Sequence, residues 1–209
     1  RLETVEETRV ADNKATLDLG DQTQEFPVLQ GSVGPDVIDI RKLYGGTGND
    51  WSSPGNGADA AHGGGGDDFL IGRTGWDTLY GNAGQDTLYG SDGRDQLFGG
   101  DGDDLIKGSA GHDTLDGGAG NDVLSGGIGA DRFIYGAGQD TILSFQNEID
   151  TLSLDSALWG GGSLSMSQLQ TFARKGAEGH IVLDFGSGKT LDLLGVENLS
   201  ILNGDFESF

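Results

Sequence analysis

Four consecutive units of nine residues run from Gly63 to Phe98 and carry the strongest structural signal in this chain: GGGGDDFLI, GRTGWDTLY, GNAGQDTLY and GSDGRDQLF. The units fit the pattern G-G-x-G-x-D-x-U-x, in which U is a large apolar residue, except that Arg73, Asn82 and Ser91 replace the second glycine in the last three. Four more units continue the same register to Ile134, as GGDGDDLIK, GSAGHDTLD, GGAGNDVLS and GGIGADRFI. A fixed period outranks local secondary-structure signals, because each repeat is one structural unit that stacks on its neighbours.

Weaker units extend the array at both ends. The unit from Tyr135 to Leu143 keeps its aspartate and its apolar residue. The two units from Gly45 to His62 keep their aspartates but place Ser52 and Ala61 at the apolar position, so we expect the array to fray there. An isolated match from Gly31 to Asp39 is predicted to be an outlying turn.

Each unit has two halves with different roles. The glycine-rich six residues can adopt positive φ angles and bring backbone carbonyls around a cation, while x-U-x is a minimal strand. Two units then make one coil of about 18 residues, with the U side chains stacked inward. The predicted ladder is Leu70, Leu79, Leu88, Leu97, Ile106, Leu115, Leu124, Phe133 and Ile142. Such a thin core cannot offset a chain entropy of about 1 to 2 kcal/mol per residue, so folding should require a ligand.

The aspartates at position six of the units are the candidate ligands. They are predicted to form one file of Asp50, Asp68, Asp86, Asp104, Asp122 and Asp140, and a second of Asp59, Asp77, Asp95, Asp113 and Asp131. Calcium takes 6 to 8 oxygen ligands, and stacked turns can supply carboxylates and carbonyls from both sides. The gaps between neighbours allow up to about nine calcium ions.

Composition supports a metal held by oxygen. The chain has 40 glycines, no cysteine, and 34 Asp plus Glu against 12 Lys plus Arg, for a net charge of -22. Disulfides and thiolate sites are therefore excluded, and cations must enter with the chain to limit repulsion. Nucleic acid and anionic membrane are not expected partners. No run approaches the roughly 20 apolar residues of a membrane-spanning helix.

The nonapeptide array resembles the RTX (repeats-in-toxin) family of exported bacterial proteins. The resemblance implies a right-handed parallel β-roll with several calcium ions held by the aspartates and by loop carbonyls. It also implies export through type I secretion machinery, folding on contact with calcium outside, and a secreted, extracellular or cell-surface location. The predicted fold is therefore all-β, with a C-terminal β-rich cap.

Three regions are predicted: residues 1–30 as an N-terminal segment or linker, 31–143 as the β-roll, and 144–209 as a cap and secretion-signal region. Within the last region Asp150 is a candidate extra ligand. A short helix is predicted from Ser165 to Lys175, with Ser165 as N-cap, followed by a hairpin around residues 186–189. The tail DFESF, Asp205 to Phe209, is similar to the acidic and hydrophobic ends of uncleaved type I signals.

Three functions remain open at this point. The leading one is a calcium-binding module that folds after type I secretion and stabilises a larger exported protein. The alternative is a polysaccharide-binding or adhesive module that uses aromatic residues such as Tyr80 and Tyr89. The third is an enzyme, but neither H-E-x-x-H nor G-x-S-x-G occurs and the three histidines are scattered surface candidates. This chain is therefore predicted not to be an enzyme, whereas an upstream catalytic domain in a parent protein stays open.

Overall fold

A computed structural model describes residues 9–11, 14–18, 23–29, 37–38, 42–146, 149–198 and 206–209. The early strands are β1 Arg9–Ala11, β2 Lys14–Asp18, β3 Thr23–Leu29, β4 Val37–Ile38, β5 Lys42–Thr47, β6 Trp51–Ser52 and β7 Ala60–Gly65. The central ones are β8 Phe69–Gly75, β9 Thr78–Ala83, β10 Thr87–Gly93, β11 Gln96–Asp101, β12 Leu105–Gly111, β13 Thr114–Ala119 and β14 Val123–Ile128. The last are β15 Arg132–Tyr135, β16 Gln139–Ile142, β17 Thr151–Leu154, β18 Ala173–Lys175, β19 Ile181–Gly186, β20 Lys189–Leu193 and β21 Phe206–Ser208. A 3-10 turn spans Ser156–Leu158 and one helix, α1, spans Met166–Phe172.

The repeat strands alternate between two parallel sheets. The even-numbered strands β6 to β16 lie in sheet 1, and the odd-numbered strands β5 to β17 lie in sheet 2. Leu88 on β10 pairs with Leu70 on β8 and with Ile106 on β12, so neighbouring strands are offset by two units. The predicted parallel β-roll with two units per coil is confirmed.

The apolar ladder forms the core of the roll. Side chains alternate along each repeat strand, so the U residue points inward while its two neighbours face outward. The nine ladder residues from Leu70 to Ile142 are between 0% and 2% exposed, and Ala61 continues the ladder toward the N-terminus at 0%. The inward orientation predicted for these positions is confirmed.

A separate antiparallel sheet precedes the roll and has the order β1-β2-β3-β4. Its last strand, β4, pairs with β3 through Val28–Ile38 and Leu29–Val37. Residues 31–36 of the predicted outlying turn lie outside the described residues. Val37 and Ile38, which follow them, form β4 and pair with β3 of this antiparallel sheet. The boundaries at 1–30, 31–143 and 144–209 stay predictions.

The C-terminal region covers the last coil. Strand β20 pairs with β16 in sheet 1, and β21 pairs with β17 in sheet 2. The predicted hairpin is confirmed as β19 and β20, and Ser165 caps α1 through a capping box with Gln168. The helix ends at Phe172, earlier than predicted, because the chain becomes extended at Ala173 and β18 gains ladder hydrogen bonds to β19. Among the described residues no helix is long and apolar enough to span a membrane.

Candidate metal centre

The position-six aspartates form two continuous files, one on each edge of the roll. One carboxylate oxygen, Oδ1, accepts a hydrogen bond from the backbone N–H of the aspartate one coil earlier. The Asp86 N–H donates to Asp104 Oδ1 at 2.7 Å, and the Asp95 N–H donates to Asp113 Oδ1 at 2.8 Å. The same contact recurs along both files, so each side chain is held in a fixed position by its neighbouring coil.

The second carboxylate oxygen is different. In eight aspartates Oδ2 is buried and accepts no hydrogen bond within the described part of the chain: Asp68, Asp77, Asp86, Asp95, Asp104, Asp113, Asp122 and Asp131. A buried carboxylate oxygen without a partner is costly, and native proteins satisfy such atoms with hydrogen bonds, water or metal. The repeated pattern suits the binding of cations along both files.

Backbone carbonyls face the same space as these oxygens. A carbon added at the Cβ position of Gly81 would lie 2.3 Å from Asp86 Oδ2 and 2.6 Å from the carbonyl oxygen of Gly99. At Gly99 the corresponding distances are 2.2 Å to Asp104 Oδ2 and 2.5 Å to the Gly117 oxygen. Adjacent coils therefore direct a carboxylate and a carbonyl toward one small region, which is the ligand chemistry that calcium prefers.

The carboxylates are arranged in single file. In the described ranges no three His, Asp or Glu side chains gather into one metal-binding group. A bound ion would therefore take its carboxylates from neighbouring coils and the remaining ligands from backbone oxygens. Calcium accepts this mixture, whereas a transition metal that prefers nitrogen or sulfur would not find its ligands here.

Burial makes these acids weak when no cation is present. It raises the pKa of Asp104 and Asp113 to about 7 and that of Asp140 to about 8. Like charges in the same file raise these pKa values further. The hydrogen bond that each carboxylate accepts from a backbone N–H of the previous coil lowers them. A divalent cation would remove the cost of keeping the carboxylates charged.

We expect the calcium-free roll to be more stable in mild acid than at pH 8. The folded-state pKa values of about 6 for Asp77 and about 7 for Asp104 exceed the ordinary value of 3.8, so the folded chain binds more protons. This contribution to stability is fully present near pH 4 and is lost as pH rises through about 6 to 8. Far-UV circular dichroism of calcium-free protein at pH 5 and pH 8 measures how much β-structure remains at each pH. More β-structure at pH 8 than at pH 5 would contradict the raised pKa values of the file aspartates.

The structure places all the predicted site residues in the two files, and their role as calcium ligands stays a prediction. Asp59 to Asp140 are buried in the two files, and Asp50 is half-buried at the N-terminal end. Asp150 extends the second file, because its Oδ1 accepts the Asp131 N–H at 2.9 Å. Its Oδ2 accepts the Gln146 N–H at 2.8 Å, unlike Oδ2 of the eight repeat aspartates from Asp68 to Asp131. Asp150 therefore closes the file with protein hydrogen bonds, and its role as a ligand stays a prediction.

Replacing one repeat aspartate should reduce calcium binding, whereas replacing Asp150 should not. Asp104→Asn keeps the hydrogen-bond acceptor at Oδ1 but removes the charge and the unpartnered oxygen. We expect fewer bound ions and a several-fold higher calcium midpoint, because neighbouring sites share this carboxylate. Asp150→Asn is the matched control and should leave the number of bound ions unchanged. Equal losses in the two variants would show that the unpartnered oxygens do not mark the sites.

A second ladder was missed from the sequence. At position five the Asp67 N–H donates to Asn49 Oδ1 at 2.9 Å, and the Asn121 N–H donates to Asp103 Oδ1 at 2.7 Å. On the other edge the Ala130 N–H donates to His112 Nδ1 at 2.9 Å. Position five looked variable, but the recurrence of Asn, Asp and Gln on one edge only was a usable signal.

The aromatic residues of sheet 2 stack on one another. Tyr44 and His62 lie 4.7 Å apart, His62 and Tyr80 4.5 Å, and Tyr80 and Phe98 5.1 Å between ring centroids, with interplanar angles of 5° to 10°. His62 is thus part of a stack, and His180 is only 13% exposed beside Asp192, so the surface interpretation was wrong for His180. Both faces of the Tyr80 ring are covered.

The fold and the two files of buried carboxylates define a calcium-binding parallel β-roll. The family model of the RTX calcium-binding nonapeptide repeat matches residues 53–88, 71–106, 80–115, 89–124 and 107–142. The repeat region of this chain therefore belongs to the RTX calcium-binding nonapeptide repeats, and it is a structural calcium-binding roll rather than a catalytic domain.

Two solved structures are also similar to the chain. The extracellular lipase LipA from Serratia marcescens shares 20% identity with a TM-score of 0.39, over 72% of this chain and 38% of the lipase. The AlgE6R3 subunit of the Azotobacter vinelandii mannuronan C5-epimerase shares 23% identity with a TM-score of 0.38, over 78% of this chain and 79% of that subunit. The chain thus spans less than half the length of the lipase.

Proposed function

We propose that this chain is the calcium-dependent folding module of a larger exported protein, and that the eleven repeat aspartates from Asp50 to Asp140 hold the ions. The observation that carries the proposal is the row of eight buried Oδ2 atoms without hydrogen-bond partners. Their charges repel one another in the absence of calcium, which favours the unfolded chain. Calcium at extracellular concentrations offsets this repulsion and drives folding.

Type I secretion fits this order of events. An unfolded chain can pass through a narrow exporter, and the net charge of -22 opposes folding until cations are present. In the folded chain Phe206–Ser208 is strand β21, hydrogen-bonded beside Leu152–Leu154. An exporter that reads an extended tail would therefore have to engage it before the roll folds.

The folded roll would then stabilise the parent protein. Its last coil is covered by the hairpin β19–β20 and by β21, so no repeat strand is left open at that end of the described chain. A rigid, capped roll gives an exported protein a stable end that resists proteolysis.

A secretion assay tests the proposal. The chain is fused to a reporter domain and expressed with a type I exporter, with and without residues 205–209. We expect export of the intact fusion, retention of the truncated one, and calcium-dependent protease resistance of the exported protein. Export that is independent of the tail, or resistance that is independent of calcium, would refute it.

A polysaccharide-binding function is a second candidate, and one cavity favours it. A cavity of about 510 Å³ beside sheet 2 has Trp76, Arg94 and Arg132 in its lining, together with the file residues Asp77 and Asp95. Trp76 is 71% exposed, so its ring can stack on a sugar, and the guanidinium groups can bind acidic groups. Tyr80 is a poorer platform, because its faces are covered by His62 and Phe98.

Glycan titration separates this candidate from a purely structural role. If the cavity binds polysaccharide, Trp76→Ala should abolish binding of acidic oligosaccharides to the calcium-loaded chain, whereas Tyr89→Ala should have little effect. Tyr89 is the matched control, because Lys107 Nζ lies 5.3 Å from its ring centroid and covers one face. If the unsubstituted chain binds no acidic oligosaccharide, the folding function is the one of the two candidates that remains.

A further inference from the structure

The two edges of the roll differ in charge beyond the aspartate files. On the edge of Asp68 and Asp104, called edge A, the turns also carry Asp67, Asp101 and Asp103 and no basic residue. On the edge of Asp77 and Asp113, called edge B, the turns carry Asp92 with Arg73, Arg94 and His112. Apart from the files, the formal charge is -3 on edge A and, from Arg73, Asp92 and Arg94, +1 on edge B, with His neutral.

The extra charges are held close to the files. The Gln85 N–H donates to Asp67 Oδ1 at 2.9 Å, and the Asn121 N–H donates to Asp103 Oδ1 at 2.7 Å. These contacts fix the two carboxylates against the next coil, at the residues that directly precede the file residues Asp86 and Asp122. On edge B, His112 is fixed in the same way by its contact with the Ala130 N–H.

The file aspartates themselves do not distinguish the two edges, because Asp68 to Asp131 are all between 0% and 3% exposed. The difference between the edges therefore lies in the additional charges of the turns, which are negative on edge A and on balance positive on edge B. Edge A is the more negative environment and the stronger attractor of a divalent cation.

We propose that the roll has two classes of calcium site separated by edge, with tighter sites on edge A and weaker sites on edge B. Asp67, Asp101 and Asp103 tighten the first class, and Arg73 and Arg94 weaken the second. The inference rests on the proposed role of the repeat aspartates as ligands. Edge A would fill first as calcium rises, and edge B would complete the roll at higher concentrations.

The expected separation follows from simple electrostatics. A carboxylate about 8 Å from a divalent ion in water changes the binding constant by roughly fivefold before screening and by less in physiological salt. The three extra carboxylates on edge A and the net charge of +1 from the extra residues on edge B should separate the two classes by at least about tenfold.

Calcium titration in competition with a chromophoric chelator measures the number of ions and their affinities. The variant Asp67→Asn/Asp101→Asn/Asp103→Asn should weaken the tight class about tenfold, whereas Arg73→Gln/Arg94→Gln should tighten the weak class several-fold. Asparagine already makes the position-five contact at Asn49 and Asn121, so the substitutions of Asp67 and Asp103 preserve these hydrogen bonds. Glu178→Gln/Asp184→Asn/Glu197→Gln is the control with the same change in net charge, placed in the C-terminal region.

Two measurements on chains with both edges intact accompany the variants. A chain with Trp51→Phe and Trp159→Phe keeps Trp76, next to Asp77 on edge B, as its single tryptophan. The fluorescence emission of Trp76 should change as the weak class of sites fills with calcium. Raising the salt concentration should weaken the tight class more than the weak class.

The outcomes are distinct. A single class of sites, or an equal shift in the edge A variant and in the C-terminal control, would overturn the inference while leaving calcium binding intact. Emission of Trp76 that follows the tight class would also overturn it. No bound calcium at all would overturn the proposed function itself.

Discussion

Removal of calcium is expected to unfold the roll. In chelator the far-UV circular dichroism signal of β-structure should be lost, and it should return in a steep transition at roughly 10⁻⁴ to 10⁻³ M calcium. The core supplies one buried apolar residue per unit, which cannot offset about 1 to 2 kcal/mol of entropy for each ordered residue. Each site at 100 times its Kd adds about 2.7 kcal/mol, and stacking makes the sites cooperative.

Magnesium is the control for this experiment. It keeps its waters and demands a small octahedral site, so it should restore little structure at equal concentration. Light scattering recorded in parallel separates folding from aggregation. A fully structured chain in chelator would mean that the aspartate files are not what holds the fold together.

Gly111→Ala is expected to destabilise the calcium-loaded roll by at least about 4 kcal/mol. Gly111 has a φ of +146°, and an added Cβ would lie 1.4 Å from the carbonyl oxygen of Gly93. That oxygen belongs to the backbone of the adjacent coil, so it cannot move without breaking the stacking of the turns. The substitution therefore combines backbone strain with a clash that has no flexible partner.

Gly65→Ala is the matched control inside the same array. The nearest atom to its added Cβ is 4.0 Å away, and Ala83 and Ala119 already occupy the equivalent position. Chemical denaturation in saturating calcium should show a large loss of stability for Gly111→Ala and a change within about 1 kcal/mol for Gly65→Ala. Similar losses would mean that close contact between coils at Gly111 is not required.

The repeat period was sufficient to predict the architecture. Strict recurrence of Asp and Leu in nines identified the two sheets, the inward ladder from Leu70 to Ile142, and the two aspartate files. The pattern works because each unit meets the same neighbours one coil away, so one local rule applies along the whole array.

Features that depend on contacts between coils were harder to predict. The position-five ladder of Asn49, Asp67 and Asp103 uses residues that vary along the sequence, and only their spatial alignment shows the hydrogen bonds. The extension of the file to Asp150 needed one extra residue, which breaks the period. The stack through His62 and Tyr80 was missed because His62 was interpreted as a scattered surface residue.

The pairing of each strand with the strand two units away has a mechanical consequence. A pull on the two ends of the roll loads the hydrogen bonds of one terminal coil at a time, because residues such as Leu70 and Leu88 are bonded only across a coil boundary. Each coil of about 18 residues would release roughly 60 Å of chain as it peels away. The roll should therefore yield to tension in repeated equal steps, each accompanied by loss of the calcium ions that its turns share.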